Sequence, residues 1–184
     1  MMKKKLAALA LAFLLLTPSI AAVAKEATAL PYGVTFQMDY AAVLEALGDA
    51  VEEDAWEDEA GVLLLPAGPS GIEGLEAEGL SFQVDRNNSD RASRLSQISI
   101  LLPTGDSSVA SFRKALAALI GAYGQPDGDP FDEGSVSNYV EYGNLSATWT
   151  NEDARINLSL SRMYQESLTL EISNRLCYRA EDLK

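Results

Sequence analysis

The sequence predicts an α+β fold in which two tandem units each pack one amphipathic helix against an antiparallel β-meander. Two segments have the apolar spacing of a helix, and each is followed by segments in which apolar and polar residues alternate. A helix cannot bury its apolar stripe alone, and a sheet cannot bury its apolar face alone, so each is expected to cover the other. Both halves also follow one order, which is helix, glycine-marked stop, acidic loop and strands. We place the first unit at residues 25–105 and the second, with a C-terminal tail, at residues 106–184.

The first predicted helix begins after Asp39, a residue type that caps helices by accepting a backbone hydrogen bond. Apolar side chains then recur at i, i+3, i+4 and i+7, which are Tyr40, Val43, Leu44 and Leu47. Gly48 marks the stop, because glycine readily adopts the conformation that ends helices.

The second predicted helix follows a cluster of three candidate caps, Asp106, Ser107 and Ser108. Its apolar stripe consists of Val109, Phe112, Leu116, Leu119, Ile120 and Tyr123. The helix is expected to end between Gly121 and Gly124, since the nearby Pro126 prevents its continuation.

Strands are predicted where apolar and polar residues alternate, because successive side chains of a strand point to opposite faces. After the second helix, the apolar positions of three such segments are Leu145, Ala147, Trp149, Ile156, Leu158, Leu160, Leu168, Leu170 and Ile172. Their neighbours are mostly small and polar, which predicts a meander buried on one face only. Val136–Tyr142 is predicted to add a fourth strand, and residues 62–65, 72–84 and 95–102 are the predicted strands of the first unit.

The first 24 residues have the layout of a secretory signal peptide, with three lysines, an apolar run and a small-residue end. The apolar run from Leu6 to Leu16 spans about 11 residues, whereas a bilayer-spanning helix needs roughly 20. We therefore expect cleavage after Ala24 and a secreted or periplasmic protein with no membrane insertion after cleavage. Lys25 stands where a lipoprotein would carry its lipidated cysteine.

The charge of the chain favours some partners over others. It carries 27 acidic and 14 basic residues, a formal charge of −13, and removal of the three leader lysines would leave −16. Such a surface repels phosphate backbones and anionic headgroups, which argues against nucleic acid and membrane-surface binding and leaves a basic protein partner or cations open. The single cysteine, Cys177, cannot form an intramolecular disulfide.

The acidic run EEDAWEDE places six carboxylates around one tryptophan. It is either a solvated connection after the first helix or a docking patch for a basic partner. As a patch it would use Trp56 as a rigid aromatic anchor. Its candidate charged residues are Glu53, Asp54, Glu57 and Asp58.

The chain has no histidine, which removes Ser-His-Asp and Cys-His nucleophile systems and the usual general base. Ser111 and Lys114 spell S-x-x-K, a signature of penicillin-binding proteins and serine β-lactamases, but the partner motifs S-D-N and K-T-G do not occur. A carboxylate-based hydrolase is a weaker alternative, because the acids fall mainly in loops without a clustered aromatic platform. We therefore expect a non-enzymatic protein without a cofactor.

A second acidic loop, GAYGQPDGDPFDEG, raises the question of a calcium site. Asp127 and Asp129 fit positions 1 and 3 of an EF-hand loop, but Phe131 at position 5, Asp132 at position 6 and Asn138 at position 12 do not. No dedicated metal site is expected. An irregular, weak calcium site remains an alternative, formed by Asp127, Asp129, Asp132 and Glu133.

The sequence leaves two candidate recognition surfaces. The polar strand face, rich in Ser, Thr and Asn, is the broader one, because helices are expected to occupy the apolar face. Alternatively, a pocket between the units could hold a small ligand, lined by Tyr139, Tyr142 and Trp149.

Three stretches also carry a resemblance: YGVTFQMDYAAVLEALGDA, ALAALIGAYGQP and TWTNEDARINLSL. They are similar to bacterial exported proteins built from helix-plus-meander repeats, a group that includes the β-lactamase inhibitor protein and the small outer-membrane assembly lipoproteins. The resemblance covers roughly residues 32–173. It implies a scaffold that binds other proteins, and no catalytic residue transfers. The lipidated cysteine of the assembly lipoproteins is missing here.

Overall fold

A computed structural model of the chain describes residues 27–51, 61–85 and 94–175. The predicted signal peptide, the acidic run around Trp56 and the single cysteine lie outside the described residues.

The described residues form three α-helices and eight β-strands, which confirms the α+β class. The helices are α1 (Tyr40–Leu47), α2 (Ser108–Tyr123) and α3 (Glu133–Tyr142). The strands are β1 (Val62–Leu65), β2 (Gly68–Pro69), β3 (Glu76–Ala77), β4 (Gly79–Asp85), β5 (Arg94–Leu102), β6 (Asn144–Thr150), β7 (Ala154–Ser161) and β8 (Ser167–Asn174). None of the described helices combines the length and the apolar content needed to cross a bilayer.

Six strands form one antiparallel sheet in the order β1-β4-β5-β8-β7-β6. Each half of the chain contributes three adjacent strands, and the pairing of β5 with β8 joins the two sets. At this junction Ile98 lies opposite Ile172, and Ile100 lies opposite Leu170. Strands β2 and β3 pair separately as a small two-stranded sheet. The α3 helix interrupts the second half between α2 and β6.

The hydrophobic core lies on one face of this sheet. Along β7 and β8 every second residue is buried, and the core-facing residues Ile156, Leu158 and Leu170 are fully buried. The α2 helix packs on β7 and β8 with its buried stripe of Phe112, Ala115, Leu116 and Leu119. Val43 and Leu47 supply the buried stripe of α1, which contacts β5. One apolar layer therefore holds helices and sheet together.

The predicted caps of the first two helices are confirmed. The Asp39 carboxylate accepts a hydrogen bond of 2.9 Å from the backbone N of Ala42, and Gly48 follows the last residue of α1. For α2, the structure selects Ser107 from the three candidates, since its hydroxyl accepts from the backbone N of Ala110 at 3.4 Å. Gly124, with φ of 82°, ends α2.

The prediction that Val136–Tyr142 is a strand is wrong, because these residues belong to α3. Local capping outweighs the strand preference of valine and tyrosine here. The Asp132 carboxylate accepts from the backbone N of Ser135 at 2.6 Å, and Gly143 ends the helix in the left-handed conformation with φ of 72°.

The predicted strand 72–84 is only partly correct, because its first residues form a turn between β2 and β3. Ser70, which is fully buried, accepts from the backbone N of Ile72 at 3.1 Å. Gly71 and Gly74 adopt positive φ angles of 77° and 81°. These conformations are incompatible with an extended strand, so regular pairing begins only at β3.

Candidate functional site

The acidic loop between α2 and α3 uses its carboxylates locally. Asp129 accepts a hydrogen bond of 2.9 Å from the backbone N of Phe131. Asp132 caps α3, and its hydrogen bond from the backbone N–H of Ser135 lowers the pKa of its carboxyl group below the usual value. Glu133 lies in the first turn of α3. In the described part of the chain, no three residues of the types His, Cys, Asp and Glu are grouped so that they could hold a metal ion.

Asp127 has a different role, at the edge of the six-stranded sheet. Its backbone N donates to the carbonyl of Thr148 at 2.7 Å. Its carboxylate accepts from the backbone N of Thr150 at 3.3 Å and from the Thr150 hydroxyl at 2.6 Å. Farther along the same strand, the Asn138 amide donates to the carbonyl of Asn144 at 3.1 Å. The loop and α3 thus cover the outer edge of β6, where unpaired backbone groups would invite association with another strand.

The three aromatic residues predicted to line a pocket lie in different surroundings. Trp149 lies in the core with 2% of its surface exposed, and its indole N–H donates to the carbonyl of Gly124 at 2.8 Å. Tyr139 is partly buried against the core, whereas Tyr142 is 57% exposed. Only the two tyrosines reach the surface, both on α3.

Tyr142 belongs to a group of exposed side chains that we call the α3 surface. It consists of apolar and aromatic side chains on α3 and on the turn between β7 and β8: Val136, Val140, Tyr142, Met163 and Tyr164. Val140 is 80% exposed and Tyr164 is 99% exposed. The three other large hydrophobic residues that are exposed in the described ranges, Leu44, Leu64 and Leu101, lie on other elements.

Polar contacts fix the β7–β8 turn against α3. The Arg162 guanidinium donates to the Tyr139 hydroxyl at 3.2 Å and lies 5.2 Å from the centre of its ring. The backbone N of Arg162 donates to the carbonyl of Gly143 at 2.9 Å. The Asn144 amide lies 3.6 Å from the Met163 sulfur. These contacts hold the turn beside the C-terminal end of α3, so the exposed side chains of the two elements lie in the same region of the molecule.

The rim of the α3 surface is mainly acidic. Glu133 and Glu141 lie on α3 beside the exposed valines, and Glu166 lies in the β7–β8 turn. All three are exposed. A hydrogen bond with the Glu141 side chain raises the pKa of Tyr142 above its usual value. Arg162 is the cation of this region, and its guanidinium is engaged by Tyr139.

The polar face of the sheet lies on the side opposite the helices. The register aligns Ser99, Glu171 and Asn157 across its centre. Two side-chain hydrogen bonds run over it, from the Gln97 amide to the Ser99 hydroxyl at 2.9 Å and from the Thr148 hydroxyl to Asn157 at 3.2 Å. At the β1 side this face becomes apolar, because Leu64 and Leu101 are 41% and 42% exposed. No described helix packs against it.

The S-x-x-K residues lie on the exposed side of α2. The Ser111 hydroxyl donates a hydrogen bond of 2.6 Å to the carbonyl of Thr104, in the loop that precedes the helix. Lys114 is exposed. This geometry gives Ser111 a structural role at the start of α2.

The sequence analysis missed four members of the α3 surface. Val136 and Val140 were assigned to a strand face, and their exposure follows from the helical spacing of α3. Met163 and Tyr164 occupy SRMYQES, a turn between two alternating strands. Two large apolar side chains in a turn expected to be polar are the signal that could have identified them.

Comparison with known proteins leaves the resemblance noted in the sequence without independent support. No family model, curated protein or solved structure matches the chain.

Proposed function

We propose that this chain is an exported, non-enzymatic protein-binding module that docks a basic partner protein through the α3 surface. The observation that carries this proposal is the concentration of exposed aromatic and aliphatic side chains on α3 and the adjoining turn. Export rests on the predicted signal peptide. The protein-binding role also agrees with the resemblance to exported repeat scaffolds.

The composition of the α3 surface supports protein binding. Contiguous exposed apolar patches are uncommon on monomeric proteins and often mark interaction sites. Tyrosine and methionine are enriched in the centres of protein interfaces, and tyrosine is a frequent hot-spot residue. Tyr164, which is almost fully exposed at the tip of the turn, could bury most of its ring in a partner pocket.

The acidic rim supports the chemistry of the partner. Glu133, Glu141 and Glu166 lie exposed on the same two elements as the apolar side chains, so the best complement is an apolar protein segment bordered by Lys or Arg. The net charge of −13 would also accelerate encounter with a basic protein and slow encounter with an acidic one. Raised salt is therefore expected to slow association.

The surface is held in place before any partner arrives. The bonds from Arg162 to Tyr139 and to Gly143 connect the turn to α3. Little conformational entropy is then lost from this backbone when a partner binds, which favours affinity.

The strand order supports the tandem-unit interpretation, which we keep as part of the proposal. The sets β1-β4-β5 and β6-β7-β8 are both antiparallel and meet through their last strands. In this view α3 is an addition to the second unit, since the described residues of the first unit contain one α-helix. An addition that covers β6 and carries the exposed surface would be the specialised part of a common scaffold.

Site-specific photo-crosslinking tests the proposal. The mature protein would carry a photoreactive phenylalanine analogue at Tyr164 or, as a control, at Ala117, which is exposed on α2. Both proteins are incubated with the exported proteins of the producing cells. We expect one dominant crosslinked protein of basic isoelectric point at Tyr164 and none of it at Ala117.

Affinity measurements with the purified partner complete the test. Tyr164→Glu and Val140→Glu should each weaken binding by at least about 10-fold. Leu44→Glu is the matched control, because it places the same charge at a 40% exposed leucine on α1. Equal crosslinking at both positions, an acidic partner, or equal effects of all three substitutions would overturn the proposal.

A further inference from the structure

A pocket lies at one end of the sheet, between the start of α2, the end of β5 and the start of β8. Its volume is about 270 Å³. Its floor is apolar and consists of buried side chains: Leu75, Leu102, Ala115 and Leu168. The pocket does not include any residue of the α3 surface.

The walls of the pocket carry three polar groups. Ser111 and Lys114 come from α2, and Glu76 comes from β3. The Ser111 proton goes to the carbonyl of Thr104, so the lone pairs of its oxygen remain for a hydrogen-bond donor. Gly105 leaves room beside this oxygen, since a Cβ there would lie 3.5 Å from it.

The charged groups of the pocket are not used by the fold. Lys114 is the only lysine in the described ranges. Two of the described arginines have partners: Arg113 lies 3.8 Å from the centre of the Phe131 ring, and Arg162 binds Tyr139. By contrast, neither the Lys114 ammonium nor the Glu76 carboxylate has an ion pair or a side-chain hydrogen bond with another described residue.

We propose that this pocket binds a small zwitterion with an aliphatic side chain, of the chemical class of a free aliphatic α-amino acid. Lys114 binds the carboxylate of the ligand, and Glu76 binds its ammonium group with the Ser111 oxygen as a second acceptor. The aliphatic side chain covers the leucine floor. Two opposite charges that line one pocket and do not pair with each other complement a small ligand that carries both charges.

The size of the pocket sets limits on the ligand. Ligand pockets usually enclose about 300–1,000 Å³, so this one accepts only a small molecule. Its charged walls are exposed, and exposed ion pairs contribute little because water screens them. The dissociation constant is therefore expected to lie near the millimolar range.

An NMR titration tests the proposal on the mature chain. L-Leucine is added to uniformly ¹⁵N-labelled protein, and amide shifts are followed at the residues around the pocket, Gly105, Ser111 and Lys114. We expect saturable shifts there and no shifts at Val140 or Tyr164. Two analogues serve as probes, L-leucinamide without a carboxylate and 4-methylpentanoate without an ammonium group. Each should bind at least about 5-fold more weakly than L-leucine if both charges are recognised.

Variants locate the site. Lys114→Gln and Glu76→Gln should each weaken leucine binding by about 5-fold or more, whereas Arg155→Gln, an equal loss of charge on the exposed polar face, should not change it. Retained amide dispersion of each variant shows that the fold is intact. The proposal is overturned by the absence of saturable shifts up to about 20 mM leucine. Equal binding of 4-methylpentanoate, or unchanged binding in both pocket variants, also overturns it. Because the pocket shares no residue with the α3 surface, the outcome of the leucine titration does not depend on whether that surface binds a protein.

Discussion

The Asp127 carboxylate accepts two hydrogen bonds from Thr150, one from its backbone N at 3.3 Å and one from its hydroxyl at 2.6 Å. This contact spans from the loop after α2 to the end of β6, and the backbone N of Asp127 adds a third bond to Thr148. Asp127, which the sequence suggested as a candidate metal ligand, therefore binds the edge strand β6 in the structure. Edge strands with unpaired backbone groups are prone to pair with other chains.

Removal of this cover should have two effects. Asp127→Ala is expected to lower the free energy of unfolding by about 1–2 kcal/mol, because two hydrogen bonds to β6 are lost. It should also increase self-association, which analytical ultracentrifugation over a range of concentrations would detect. Glu152→Ala is the control, since it removes an exposed carboxylate from the adjacent β6–β7 turn. If the two variants associate equally, edge covering is not the role of Asp127.

Asp132 provides a prediction about acid stability. Its pKa is lowered in the folded protein, chiefly by the hydrogen bond from the backbone N–H of Ser135. The stabilising contribution is therefore present above the unfolded-state pKa and is lost as the pH falls through the lower folded-state value. Asp132→Asn keeps a capping oxygen but cannot titrate, so this variant should lose less stability than the wild type over that acidic range.

Urea unfolding at a series of pH values would measure this difference. Asp129→Asn is the matched control, because Asp129 also accepts a backbone hydrogen bond in the same loop but caps no helix. The prediction would be contradicted if Asp132→Asn lost as much stability over the acidic range as the wild type does.

Local signals explain why α1, α2 and the last three strands could be predicted. The Asp39 cap, the stripe of α2 and the alternation along β7 each depend on residues close together in sequence. Helix α3 was missed because valine and tyrosine favour strands, while its two boundary residues, Asp132 and Gly143, were not recognised as a pair of caps.

The surfaces were harder to predict than the elements, because they depend on strand order. The sequence does not reveal that β6 lies at an edge, and only that position gives Asp127 its role. Likewise, Arg162 and Tyr139 are 23 residues apart along the chain, and their contact follows from the packing of the β7–β8 turn beside α3. Trp149 was predicted both on the apolar face of a strand and in a pocket lining, and the structure places it in the core.

Tyr123 provides a prediction for alkaline conditions. Burial raises its pKa to about 12, and its hydroxyl donates to the carbonyl of Ala29 at 3.0 Å. Since the folded value exceeds the ordinary value of 10.0, its contribution to stability is present below pH 10 and is lost as the pH rises toward 12. Ultraviolet titration should show one tyrosine that ionises about two pH units after an ordinary tyrosine. Tyr123→Phe should remove that late step, and a late step that persists in this variant would contradict the prediction.

Gly143 follows α3, and its carbonyl accepts a hydrogen bond from the backbone N of Arg162 in the β7–β8 turn. We expect alanine to be unfavourable at this position. Its φ of 72° is unfavourable for a residue with a side chain, and a Cβ would lie 3.2 Å from the Cβ of Arg162. Gly143→Ala should therefore lower the free energy of unfolding by about 1–2 kcal/mol. It should also displace the turn that carries Tyr164, which amide shifts of residues 162–166 would report.

Gly121→Ala is the control, because Gly121 lies within α2 with no atom near its Cβ position, and this change should stabilise the protein by about 0.5–1 kcal/mol. Equal effects of the two substitutions would show that the backbone at Gly143 is not constrained in this way.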